Sequence, residues 1–204
     1  MTKTVPMTVT GIEPLVLRLG PLLKRMSDRE FYEFCQLNDE WQIEMSSQGE
    51  LIIMAPTGAE GGRRNFTLTG LFFAWVEADG TGVGFDSSTM FTLPNGAKRS
   101  PDAAWIRKSR WDALTADERE EFSPICPDFV IELRSRTDRL KRLQAKMEEY
   151  IANGAQLGWL IDPLEKKVYV YRPGAAVEIF DDPETVSGEP LLAGFNLPLA
   201  RLWS

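Results

Sequence analysis

The chain of 204 residues contains no histidine. That absence excludes every mechanism needing an imidazole as general base, proton shuttle or zinc ligand, and with it Ser-His-Asp hydrolases, Cys-His proteases and histidine-zinc enzymes. Cysteine is nearly absent too: Cys35 and Cys126 lie far apart, which gives neither a zinc knuckle nor a disulfide framework and fits two thiols in a reducing compartment. Long hydrophobic runs are missing. Stretches such as Leu51 to Ala55 and Phe129 to Leu133 are strand-sized and too short to cross a bilayer. Met1 to Thr10 lacks the basic start and apolar run of a secretory leader, so a soluble cytoplasmic protein with no membrane partner is expected. Nor is there an excess of positive charge. Lys plus Arg is 23 against 30 for Asp plus Glu, and the net charge of −7 argues against a general nucleic-acid coat protein while permitting a local basic groove.

What is present suits one folded α/β domain: 43% hydrophobic residues, 26% charged and six tryptophans, with no repeat or Ser/Gly linker. Ser27-Asp28-Arg29-Glu30 has the form of a capping box and predicts a helix from Asp28. Trp41 to Met45 and Leu51 to Ala55, separated by Ser46-Ser47-Gln48-Gly49, predict a hairpin. An apolar stripe from Phe66 to Val76 predicts a buried helix over Glu60 to Asp79. Two strands within Gly82 to Leu93, strands at Ala103 to Ile106 and Phe129 to Leu133, a helix from Asp138 to Ala152 and three more strands follow. Arg107 to Phe122 reads as two short exposed helices. This order predicts a mixed β-sheet flanked by helices.

With imidazole and thiol chemistry excluded, a reactive centre must use Asp, Glu, Lys, Arg, Ser or Tyr. Asp102 heads an apolar strand and Glu132 lies inside one, where a carboxylate has to be paired, protonated, metal-bound or open to a cleft. Asp128 lies roughly 13 Å from Glu132 along the same strand at ~3.3 Å per residue. Oxygens sharing Mg2+ sit about 2.1 Å from it, which disfavours Asp128 as the partner. Asp102, on a neighbouring strand, would lie roughly 5 Å away. Arg134 follows on the same face as Glu132, and Lys146 and Gln144 flank opposite edges of the next helix's apolar stripe. Arg134, Arg136, Arg139, Lys141, Arg142 and Lys146 stand against a single acid, Asp138, which reads as a phosphate-facing edge, although an exposed helix face balanced by Glu148 and Glu149 gives the same pattern. Lys98, Arg99, Arg107, Lys108 and Arg110 would extend that edge.

Ser100-Pro101-Asp102, Pro127-Asp128-Phe129-Val130-Ile131-Glu132-Leu133, Asp138-Arg139, Lys146-Met147-Glu148-Glu149-Tyr150 and Gly158-Trp159-Leu160-Ile161-Asp162-Pro163 resemble the Uma-two family of restriction-endonuclease-like proteins, within the PD-(D/E)XK nuclease superfamily. The resemblance runs from about Met26 to the end and includes Gly194 to Leu199. It implies a restriction-endonuclease-like α/β core over 26–204 behind an N-terminal arm, 1–25, and a Mg2+- or Mn2+-dependent endonuclease acting on DNA. Asp102 and Glu132 would be metal ligands and catalytic residues, Arg134 stands where the motif's lysine would be, and Lys146 matches a lysine moved to the following helix. Glu60, or Glu44 as its rival, would complete the metal site. Arg134, Arg136, Arg139, Arg142 and Gln144 would contact nucleic acid. A homodimer is expected, the apolar segment Leu191 to Trp203 being suited to cover a neighbour. Two alternatives stay open: a catalytically silent nuclease fold that binds nucleic acid or a partner protein, and a purely structural domain.

Overall fold

The computed structural model describes residues 14–203. Met1 to Thr10, read above as lacking a leader, lies outside them, as does the first part of the expected arm. In chain order the elements are β1 (Leu15–Arg18), α1 (Asp28–Gln36), β2 (Gln42–Met45), β3 (Glu50–Met54), α2 (Ala59–Asp79), β4 (Gly82–Asp86), β5 (Phe91–Thr92), β6 (Lys98–Arg99), β7 (Ala103–Arg107), α3 (Lys108–Asp112), α4 (Ala116–Glu120), β8 (Phe129–Leu133), α5 (Leu140–Ala152), β9 (Leu157–Asp162), β10 (Lys167–Tyr171), β11 (Glu178–Asp181), β12 (Thr185–Ser187), β13 (Asn196–Pro198) and α6 (Ala200–Trp203). Ser27 and Glu30 form the reciprocal capping box that starts α1. Helix α5 starts two residues later than the sequence suggests, because Asp138 Oδ2 accepts from Ser135 N at 2.8 Å and closes a turn instead.

Two main sheets result. The first has the order β1-β3-β2-β6-β5; the second has the order β11-β10-β9-β8-β7-β4. In the second, β8 and β9 run parallel and the other pairs antiparallel, so the sheet is mixed as expected. The alternation along β8 divides its side chains. Phe129, Ile131 and Leu133 join a core with Leu68, Phe72 and Val76 of α2, while Val130 joins a second core with Met147 and Tyr150 of α5. Helices thus cover both faces of a restriction-endonuclease-like α/β core.

Two features adjust the sequence reading. Leu192, Phe195, Leu197, Leu199 and Leu202 are buried in the core beside α2 and β8, so the C-terminal apolar segment covers the chain's own sheet and gives no support to a homodimer. Gly82 allows β4 to lie against Trp105, since a Cβ there would fall 2.2 Å from the indole. Among the described residues no helix is long and apolar enough to cross a membrane.

Candidate metal and phosphate centre

The chain leaves the first sheet at β6 and enters the second at β7, and the segment between them, Ser100-Pro101-Asp102, carries the first candidate acid. The β7–β8 register pairs Ala103 with Ile131 and Ala104 with Val130, and continued by one position it sets Asp102 opposite Glu132. Leu133 N donates to Asp102 Oδ2 at 2.7 Å, which ties Asp102 to the end of β8. Asn65, in the second turn of α2, donates from Nδ2 to Asp102 Oδ1 at 3.2 Å. Burial pushes the Asp102 carboxyl up, and the Leu133 N–H partly opposes it.

Glu132 is 4% exposed. Its Oε1 lies 2.7 Å from Lys146 Nζ and accepts from the Tyr150 hydroxyl at 3.1 Å. Lys146 leans from the edge of the α5 stripe onto the sheet and also donates to Glu44 Oε1 at 2.8 Å and to the Ser100 carbonyl at 3.1 Å. Glu44 arrives from β2. Its Oε1 accepts from Ser100 N at 2.9 Å and its Oε2 from Arg99 Nη1 at 3.1 Å, while Arg99 Nε donates to Glu149 Oε2 at 2.6 Å. Burial works against the ionised Glu44, but Lys146 and Arg99 outweigh it and hold the carboxyl below its ordinary range. Burial pushes Glu132 up to about 8, Lys146 pulls the other way, and the Asp102 and Glu44 charges push it further up.

The raised value has a measurable sign. Between the ordinary carboxyl range and about 8 the folded chain keeps a proton on Glu132 that the unfolded chain has released, so this residue's contribution to stability falls as pH rises through that window. Glu132→Gln should therefore gain stability relative to the wild type as pH goes from 5.5 to 8.5, by up to a few kcal/mol in urea unfolding. Parallel pH profiles for the two proteins would contradict that reading of Glu132.

The other candidates are placed differently. Arg134 does not join the centre: its Nη1 lies 2.6 Å from Oδ2 of the fully buried Asp162, which straps the end of β8 to the end of β9. Glu60 is exposed and pairs with Arg63 and Arg64 in the first turns of α2, so Glu44 is the further acid drawn to Lys146. Arg136 and Arg139 are exposed; Arg142 and Gln144 are half-buried on α5. Four of the five residues expected to extend the basic edge are in ion pairs, and the fifth, Arg107, lies over the Trp105 ring. Lys98 meets Asp28, Arg99 meets Glu44 and Glu149, Lys108 meets Asp112, and Arg110 meets Asp128. Asp128 also accepts from Arg107 N at 2.9 Å, at the far end of β8 from Glu132. Asn65 carries no sequence signal for a place in this network, and Glu149 and Tyr150 stand in the Lys146 to Tyr150 motif without one that assigns them these partners.

Among the described residues no group of three or more His, Cys, Asp or Glu is arranged to hold a metal ion. The two carboxylates gathered at the end of β8, Asp102 through Leu133 N and Glu132 on the strand itself, are nonetheless a donor set that suits a hard cation such as Mg2+, which proteins hold through one or two carboxylates with water and substrate phosphate filling the other positions. Lys146 and Tyr150 both use Oε1 of Glu132, so neither engages Oε2.

A family model, Uma2, described as "Putative restriction endonuclease", matches residues 28–200. Comparison with curated proteins gives no match. A crystal structure described as a putative nuclease belonging to DUF820, from Anabaena variabilis, is similar at a TM-score of 0.69 and 23% identity, covering 87% of this chain and 97% of that one; the likeness is one of fold.

Proposed function

The chain belongs to the Uma2 family of PD-(D/E)XK-like nucleases, and from that premise we infer that it is a Mg2+- or Mn2+-dependent endonuclease that hydrolyses DNA phosphodiester bonds. The observation that carries the reading is the tie of Asp102 to Leu133 N at the end of β8, one residue from Glu132, with Lys146 on the Glu132 carboxylate. Asp102 and Glu132 would hold the ion. When bound, it supplies a water of lowered pKa and Lewis acidity toward the phosphoryl oxygen. Asn65 and the Leu133 N–H fix the aim of Asp102, and Lys146 brings a positive charge to the phosphate side of the centre. Arg136, Arg139 and Arg142 line the segment from β8 into α5 and would meet neighbouring phosphates, with Gln144 on the same helix. Arg134 has a structural part instead, because its guanidinium is committed to Asp162.

Nicking of supercoiled plasmid in Mg2+ or Mn2+ tests the reading. Cleavage should appear with either ion and stop with EDTA. Salt-sensitive duplex binding without cleavage would favour the silent nuclease fold, a reading that the engagement of Lys146 with Glu132 keeps in view.

The homodimer moves to α2. Its outward face presents Phe66, 82% exposed, and Phe73, 61% exposed, on either side of Gly70, where a Cβ would meet nothing within 4 Å. Arg63 at the start of this face is held by Glu60 and by the Arg201 carbonyl of its own chain, so the contact with a second copy about a two-fold axis would be the apolar strip of Phe66, Gly70 and Phe73 alone. Sedimentation velocity should show a dimer that Phe73→Glu converts to a monomer; a monomeric wild type at tens of micromolar would remove this interface.

A further inference from the structure

Lys146 Nζ has three acceptors: Glu132 Oε1 at 2.7 Å, Glu44 Oε1 at 2.8 Å and the Ser100 carbonyl at 3.1 Å. An ammonium group has three N–H bonds, so each of its protons is engaged. A lysine held this way has no donor left for a phosphate or an attacking water. It also places a positive charge on the carboxylate that a divalent ion would need. Its three acceptors differ in how firmly they are set. Glu44 is locked by Ser100 N and by Arg99, and Arg99 is itself held by Glu149, whereas Glu132 is the acid one residue from the Leu133 N–H that holds Asp102.

We propose that Lys146 is the resident cation of the centre, occupying Oε1 of the Glu132 carboxyl when no divalent ion is bound and retained by Glu44 when the ion displaces it. This rests on the metal-dependent reading above. A divalent ion beside Glu132 repels the ammonium at a contact of 2.7 Å, while the Glu44 contact at 2.8 Å and the Ser100 carbonyl keep it within the centre. The N–H released from Glu132 then becomes the one that meets the substrate phosphate. Glu44 is thus a positioning residue that acts through Lys146. Metal and DNA come to favour each other's binding, and by linkage the effect is reciprocal. The lysine is committed to phosphate only when the ion is in place.

The test uses calorimetric titration with Mn2+ alone and fluorescence anisotropy of a short labelled duplex with and without Ca2+. Lys146→Met should bind Mn2+ about tenfold more tightly than the wild type, and the roughly tenfold Ca2+-dependent tightening of duplex binding should be lost. Lys146→Arg keeps the charge and should stay close to wild-type Mn2+ affinity. Should Lys146→Met fail to fold, acylation of Lys146 in the wild type, read by mass spectrometry, should rise on adding Ca2+. Equal or weaker Mn2+ binding by a folded Lys146→Met, or labelling that does not change with Ca2+, overturns the resident-cation proposal. A wild type that binds neither ion removes the metal-dependent function itself, so the two failures are distinguishable.

Discussion

Asp102→Asn is expected to lower metal-dependent plasmid nicking by on the order of 10^3-fold while leaving the chain folded. The asparagine still offers an oxygen to Leu133 N, and its Nδ2 can donate to Asn65 once the Asn65 amide turns its oxygen inward, so the ends of β7, β8 and α2 stay joined. It lacks the negative charge. That charge is already costly in its surroundings, since burial drives the Asp102 carboxyl up, and removing it should leave the melting temperature unchanged or raised near neutral pH. Activity and stability should therefore move apart. Calorimetry with Mn2+ should show the affinity falling with the activity. Nicking within tenfold of wild type in a folded Asp102→Asn would remove Asp102 from the metal site.

Glu44→Ala should be the costliest single substitution in the network, at about 3–5 kcal/mol. The alanine leaves Arg99 and Lys146 without the carboxylate between them and strips the Ser100 N–H of its acceptor, all where little water reaches. For a chain of this length the loss corresponds to a fall of about 10 °C in melting temperature. Glu60→Ala is the matched control. Its carboxylate is solvent-exposed and pairs only within its own helix turns, so scanning calorimetry should show little change. Equal effects for the two would mean that the Glu44 network carries no more than a surface ion pair.

The fold was legible in the sequence wherever one local device decided the outcome. The Ser27–Glu30 box started α1, the Ser46 to Gly49 turn closed the hairpin, and the stripe from Phe66 to Val76 buried α2 through Leu68, Phe72 and Val76, although Phe66 itself faces outward. Asp102 and Glu132 stood out because a carboxylate in an apolar strand has few comfortable environments. What could not be read was pairing across long separations. Glu44 could be named only as the rival of Glu60, because nothing local to the hairpin shows that Lys146 of α5 and the Ser100 N–H close over its carboxylate. Arg134 looked like a phosphate clamp because Asp162 is a partner from the next strand, visible only once β8 and β9 lie side by side. The basic edge was overestimated for the same reason: Asp28, Glu149 and Asp128 consume its flanks. Leu191 to Trp203 looked like a surface for a neighbour because local sequence cannot tell a chain's own core from someone else's.

Glu44 belongs to one sheet and Glu132 to the other, Asp102 to the segment that joins them, and Lys146 to a helix laid across the second. A chain still emerging from synthesis, or one transiently opened between its halves, holds these groups apart. Folding and assembly of the centre are consequently a single event: neither a half-made molecule nor an opened one holds Glu44, Asp102, Glu132 and Lys146 together.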